Sequence, residues 1–106
     1  MGRKTTPGAV DLIQGCRMDS VILSSETGIK LFKETLISIL ADKRQLGLAM
    51  SWRDYNGNSI QHIAVYRKLL PAVDVLNSFG FRMDVPNRKG QTVAQLAKQR
   101  GVTIKS

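Results

Sequence analysis

The strongest constraint on this chain is a self-similarity at a spacing of 33 residues. "GLAMSWRDYNGNSIQHIA" (Gly47 to Ala64) and "GFRMDVPNRKGQTVAQLA" (Gly80 to Ala97) share one order of features. Gly47 falls on Gly80, Asp54 on Asn87, Gly57 on Gly90, Ser59 on Thr92 and Ala64 on Ala97. Each window reads as a glycine, an extended stretch, a turn and then a helix. A period of this length marks stacked supersecondary units, none of which buries its apolar face alone.

Local chemistry supports that reading. Ser59 and Thr92 follow turn glycines and are good N-caps, since their hydroxyls accept from backbone N–H groups left open at a helix start. Ile60, Ile63 and Ala64 then share a helical face, as do Val93, Leu96 and Ala97. A second helix is expected from about Pro71, a residue suited to a first turn. Ala72, Val75, Leu76 and Phe79 form its apolar stripe, with Val73 beside it, and Gly80 is its C-cap. Upstream, "ETLISILADKRQLG" reads as one helix ending at Gly47. The segments Leu48–Arg53 and Phe81–Pro86 are expected to add at most short hairpin pairing.

The chain resembles the ankyrin-repeat family, whose signature is G-x-T-P-L-H-x-A at a 33-residue period. "GNSIQHIA" matches it at Gly57, Ser59, His62 and Ala64, and "GQTVAQLA" at Gly90, Thr92 and Ala97. Ile60 and Val93 stand in for the proline, Gln61 and Ala94 for the buried leucine, and Gln95 for the histidine. The resemblance implies an all-α solenoid of about three helix-turn-helix units with short β-hairpin or turn tips. The boundaries that follow are a mobile basic tail over 1–10 and one domain over 11–106. Its repeats lie at about 24–56, 57–89 and 90–106, the first degenerate and the last incomplete. Gly47, Gly57, Ser59, His62, Gly80, Gly90, Thr92 and Gly101 take structural roles, and the ring of His62 bonds to backbone near the adjoining turn.

Composition excludes several classes. The chain has 106 residues, enough for one small domain. Its longest apolar runs, such as "LISIL", are far short of the ~20 residues of a membrane span. The N-terminus lacks the apolar run of a secretory signal. One cysteine, Cys16, and one histidine, His62, are too few for a metal site, and no partnered nucleophile is visible. A lone cysteine forms no internal disulfide, which suits a reducing compartment: the cytoplasm of the producing cell, or of a host cell. No catalysis, cofactor or metal is expected.

Charge points to a partner. The chain carries a net +8, unevenly spread. Residues 53–106 hold nine basic and three acidic side chains, a net of +6, and residues 1–52 hold seven and five, a net of +2. The expected partner is an acidic protein, with nucleic acid as the alternative. Placed on the ankyrin pattern, the tips carry Arg53, Tyr55, Asn56, Asn58, Pro86, Arg88, Lys89 and Gln91. The exposed helix ends add Tyr66, Arg67, Gln99 and Arg100, and Trp52 sits at the base of the first tip. Tyr, Trp and Arg are enriched where interfaces concentrate their binding energy. The family's use as a binding scaffold implies an inhibitor or an adaptor.

Two features lie at the ends. "MGRKTT" fits an N-myristoylation pattern at Gly2, the one route by which a membrane enters as partner. Beyond Gly101 only "VTIKS" follows, so no second helix closes the last repeat. Val93, Leu96, Val102 and Ile104 are then expected to form an apolar edge, covered by the final residues or used in self-association.

Overall fold

The computed structural model describes residues 8–15 and 24–104. Gly2, Cys16 and the proposed acyl-acceptor pattern lie outside them. Among the described residues there are six helices: α1 (Ala9–Gln14), α2 (Glu26–Ala41), α3 (Lys43–Ser51), α4 (Ile60–Tyr66), α5 (Leu70–Ser78) and α6 (Val93–Arg100). The fold is all-helical. The expected hairpin tips are absent among these residues, and a single isolated bridge, Pro86 with Thr92, stands in their place. The physical reason is local: each tip closes on itself by side-chain bonds to its own backbone, leaving no free edge for a ladder.

The helices form two rows. The short helices α1, α4 and α6 pack in sequence, α1 on α4 and α4 on α6. Behind them α2 packs on α5, and α4 packs on α5. Ile13, Phe32, Leu36, Leu40, Ile60, Val65, Leu69, Leu76 and Val93 fill the space between the rows. The apolar stripe expected on α5 is buried at Ala72, Val75 and Leu76, while Phe79 is half-buried. Pro71 lies in the first turn of α5 and Gly80 follows its end at φ +85°.

Two expectations upstream fail. The helix expected to run to Gly47 stops at Ala41, because the Asp42 carboxylate accepts from Arg44 N–H at 2.9 Å and starts a new helix, α3. Gly47 is therefore inside a helix and is not the counterpart of Gly80. Leu48–Ser51, expected as extended, belongs to the same helix. The N-terminal boundary also moves: Ala9 and Val10, placed with the tail, belong to α1, and Ala9 is buried.

One device opens all three front helices. Gly8 N–H donates to the Asp11 carboxylate at 3.2 Å, Ser59 N–H to His62 Nδ1 at 3.0 Å and Thr92 N–H to Gln95 Oε1 at 2.9 Å. Ser59 and Thr92 return the bond, accepting from the N–H of His62 and of Gln95. This is the reciprocal capping arrangement, with three different side chains in the returning position. The cap at Gly8 does not lie 33 residues before the one at Ser59, so a search at that spacing misses it.

The ends are equally regular. Leu69 N–H reaches Ala64 C=O, Phe81 N–H reaches Leu76 C=O and Val102 N–H reaches Ala97 C=O, at 2.9, 3.1 and 2.8 Å. The residue before each is left-handed: Lys68 at φ 58°, Gly80 at 85° and Gly101 at 72°. This is the Schellman closure, whose apolar follower packs back on the helix. Leu69, Phe81 and Val102 are all buried. The C-terminal edge is thus closed from within: Val93, Leu96 and Val102 are buried and Ile104 packs against the core. The outward face of α6 carries exposed Ala94, Gln95 and Lys98 where α4 has buried Gln61, His62 and Val65.

The two turn glycines share φ +77° but not their surroundings. A Cβ on Gly57 would meet Arg88 N at 2.9 Å and Arg88 Cγ at 2.8 Å, whereas one on Gly90 would meet nothing within 4 Å. Gly90→Ala should cost only the left-handed backbone strain, roughly 1–2 kcal/mol. Gly57→Ala should cost clearly more, because the second turn must lift off the first. Urea denaturation of both variants checks this, and equal losses would mean that the turns are not docked through Gly57.

Candidate functional site: a cleft between two stacked turns

Two turns, residues 54–58 and 87–91, are built alike. Asp54 N–H donates to Asn58 C=O and Asn87 N–H to Gln91 C=O, both at 2.9 Å. Gly57 N–H donates to Asp54 C=O at 3.0 Å and Gly90 N–H to Asn87 C=O at 2.9 Å. Asp54 Oδ1 accepts from the N–H of Asn56 and of Asn58, and Asn87 Oδ1 from the N–H of Lys89 and of Gln91. The side chain at the turn's first position thus satisfies two backbone donors that a loop would otherwise expose.

The second turn then docks on the first. Arg88 N–H donates to Asn56 C=O at 3.1 Å, and Asn87 Nδ2 donates to Asn58 Oδ1 at 2.9 Å. From beneath, His62 Nε2 lies 2.9 Å from Gln91 C=O. Because Ser59 N–H donates to Nδ1, the ring's proton sits on Nε2 and donates to that carbonyl. His62 is 1% exposed and bonds to backbone of the adjoining turn. Burial pushes its pKa below the ordinary value, and nearby Arg53 adds to that, while the Gln91 bond and Asp54 act the other way.

Between the turns and the front helices lies a cleft of about 550 Å³. Asn56, Asn58, Arg88, Lys89 and Gln91 line its turn end, and Ile63, Tyr66 and Leu96 line its floor and far wall. Arg100 lies over the ring of Tyr66, 4.7 Å from its centre, and donates to Tyr66 C=O at 3.3 Å. Gln99 Oε1 accepts from Gln91 Nε2 at 2.7 Å.

Of the residues singled out from sequence, the cleft gathers Asn56, Asn58, Tyr66, Arg88, Lys89 and Gln91, and Gln99 and Arg100 support its rim. Others are not brought to it. Arg53 folds back on the carbonyls of Met50 and Trp52, at 3.2 and 2.7 Å. Trp52 is half-buried against the core. Tyr55 is 90% exposed and Arg67 half-buried, both away from the cleft lining. Sequence reasoning missed Asp54, Asn87, Ile63 and Leu96 as cleft residues. The shared turn position of Asp54 and Asn87 was the signal for the first two.

The cleft's polar groups fall into two sets. Asp54, Asn58, Asn87 and His62 are engaged within the chain. Arg88 and Lys89 are exposed and, among the described residues, pair with no carboxylate, the one ion pair being Arg82 with Asp84. Among the described residues no group of three or more His, Cys, Asp or Glu could hold a metal ion, and no helix is long and apolar enough to cross a membrane. No family model matches the chain, and no curated protein or solved structure gives a significant match.

His62 supplies a test with a definite sign. Its folded pKa lies below the unfolded value of 6.5, so the unfolded chain takes up the proton first. The stability that the neutral ring contributes is whole above about pH 6.5 and is lost as pH falls from there towards the depressed value. Thermal melts should therefore be flat from pH 8 to 7 and fall below that. His62→Gln, which copies Gln95 in the second unit, should flatten this fall. His62→Ala should cost roughly 1–3 kcal/mol at pH 7, the usual loss when a buried bonding partner is removed. A native melt that rises on acidification would overturn the assignment of a neutral, accepting Nδ1.

Proposed function

We propose that this chain is a small ankyrin-type binding module that holds an acidic protein partner in the cleft between its two turns, as an inhibitor or adaptor in the cytoplasm. It performs no catalysis of its own. The observation that carries the reading is the pairing of a rigid frame with free cations. Arg88 and Lys89 project from a turn fixed by three bonds to the preceding unit, and no carboxylate of the described chain answers them. The repeat assignment is supported by the matching backbone and capping bonds of residues 54–62 and 87–95.

Fixed cations beside an apolar floor lower the ordering cost of binding and select for an acidic surface. A nucleic acid would need cations spaced along a phosphate track, and the cleft presents two adjacent ones.

Charge reversal tests this. Arg88→Glu with Lys89→Glu keeps the methylenes that cover Gly57, so the melting temperature should stay within a degree or two, as exposed charges contribute typically under ~1 kcal/mol. Affinity capture from nuclease-treated lysate should retain a protein with the native chain and lose it, at least ~10-fold, with the variant. Reversal of Lys43 and Arg44, exposed in the first turn of α3, is the control. Equal losses from both pairs would leave only net charge at work. Binding that vanishes with nuclease and falls log-linearly with salt would favour nucleic acid instead.

A further inference from the structure

Charge alone leaves half of the cleft unexplained. Its turn end is cationic, but its floor is Ile63 and Leu96 with the face of Tyr66 at the far wall. Ile63 is half-buried and Tyr66 is 59% exposed, so apolar surface remains open to solvent between two helices that otherwise pack tightly. Arg100 stacks on the Tyr66 ring and bonds to its carbonyl, which favours the ring's place at the wall. The one carboxylate in the lining, Asp54, accepts from Asn56 N–H, Asn58 N–H and the Asn58 amide, and the two cations beside it leave the turn end net positive. The Asn56 side-chain amide, by contrast, has no partner among the described residues and offers a peptide group both a donor and an acceptor.

Geometry sets the spacing. The turns stand at the N-terminal ends of α4 and α6, and Tyr66 ends α4. A helix of α4's length rises about 10 Å, and an extended peptide covers that distance in about three residues. A single bound side chain therefore cannot reach both ends, and a short extended segment can.

We propose that the cleft reads a short extended peptide in which an acidic side chain, held by Arg88 and Lys89, lies two or three positions from an apolar or aromatic one seated on Ile63, Leu96 and Tyr66. This rests on the protein-binding reading above and adds to it a motif. The carboxylate confers orientation and the apolar group confers discrimination, because an acidic segment without it leaves the floor wet.

The test is selection from a displayed library of random seven-residue peptides in neutral flanks on the full chain. Selected peptides are then measured by fluorescence polarisation against the native chain, the Arg88→Glu, Lys89→Glu variant and Tyr66→Ala. Enrichment of an acidic residue two or three positions from an apolar one supports the proposal, provided two further results hold. Replacing either peptide residue by Ala should weaken binding at least ~10-fold, and the acidic and apolar replacements should lose their effect in the charge-reversed and Tyr66→Ala proteins respectively. Enrichment of acidic peptides with no apolar preference overturns the motif while leaving the acidic-partner reading in place. Basic or unpatterned peptides, or no enrichment, overturn the motif too. Lysate capture that survives nuclease and depends on Arg88 and Lys89 would then show that the broader reading stands without it.

Discussion

The arrangement depends on one bond pair across a histidine ring. His62 accepts from Ser59 N–H at one nitrogen and donates to Gln91 C=O from the other. The first bond fixes where α4 begins, and the second fixes where the next turn lies. Without a single group that does both, the turns would be joined only at their tips, through Arg88 N–H and the Asn87 amide, with nothing tying them to the start of α4 from beneath. Net worth per bond is modest, roughly 1 kcal/mol. Its importance is geometric: the ring is buried, so neither bond can be exchanged for water at low cost.

From that link the cleft follows. Once Gln91 C=O is held, Arg88 N–H falls under Asn56 C=O, and the Arg88 stem lies across the α-carbon of Gly57. Any side chain there would pry the turns apart. The cations at the tip are exposed, yet the backbone carrying them is as constrained as core backbone. A backbone held in this way has little ordering cost left for any contact it makes. Gln61 shows what the packing tolerates. It is 3% exposed, and its Nε2 donates to Arg82 C=O at 2.8 Å, tying α4 to the segment before the second turn. Its Oε1 has no partner among the described residues, so the amide gives up one bond to secure the other.

Much of this was legible in the sequence where a local rule governs. The turn glycines, the hydroxyl caps, the proline at the start of α5 and the C-cap at Gly80 each answer a backbone demand that a residue type announces. Three things were not legible. Asp42 breaks α2 from α3 by a cap inside an otherwise continuous helical pattern, so Gly47 looked like an end and was not. Lys68 adopts the left-handed conformation that Gly101 takes one period later, and nothing about a lysine signals it. Arg53 immediately precedes the first turn, and its guanidinium turns back to two carbonyls, an outcome set by competition among acceptors and not by position. The cleft was half legible: periodicity placed its cations, but its floor needed the packing of α4 on α6.

The three front helices show why the histidine stands where it does. Asp11, His62 and Gln95 occupy the same position and do the same first task, accepting from the N-cap N–H. A carboxylate or an amide oxygen suffices for that. In α6 Gln95 is exposed and, among the described residues, bonds to the N-cap of its own helix alone. Between α4 and α6 the demand is double, because the next turn must also be held from beneath, at a site too buried for water to help. Imidazole meets it: two nitrogens on opposite sides of one rigid ring, one accepting and one donating when neutral. The same neutrality makes the link conditional on pH, since a protonated ring would set a donor against the Ser59 N–H. The group that shapes the cleft is thus also the one whose charge state can unmake it, while the charged ends of Arg88 and Lys89 meet no carboxylate of the described residues.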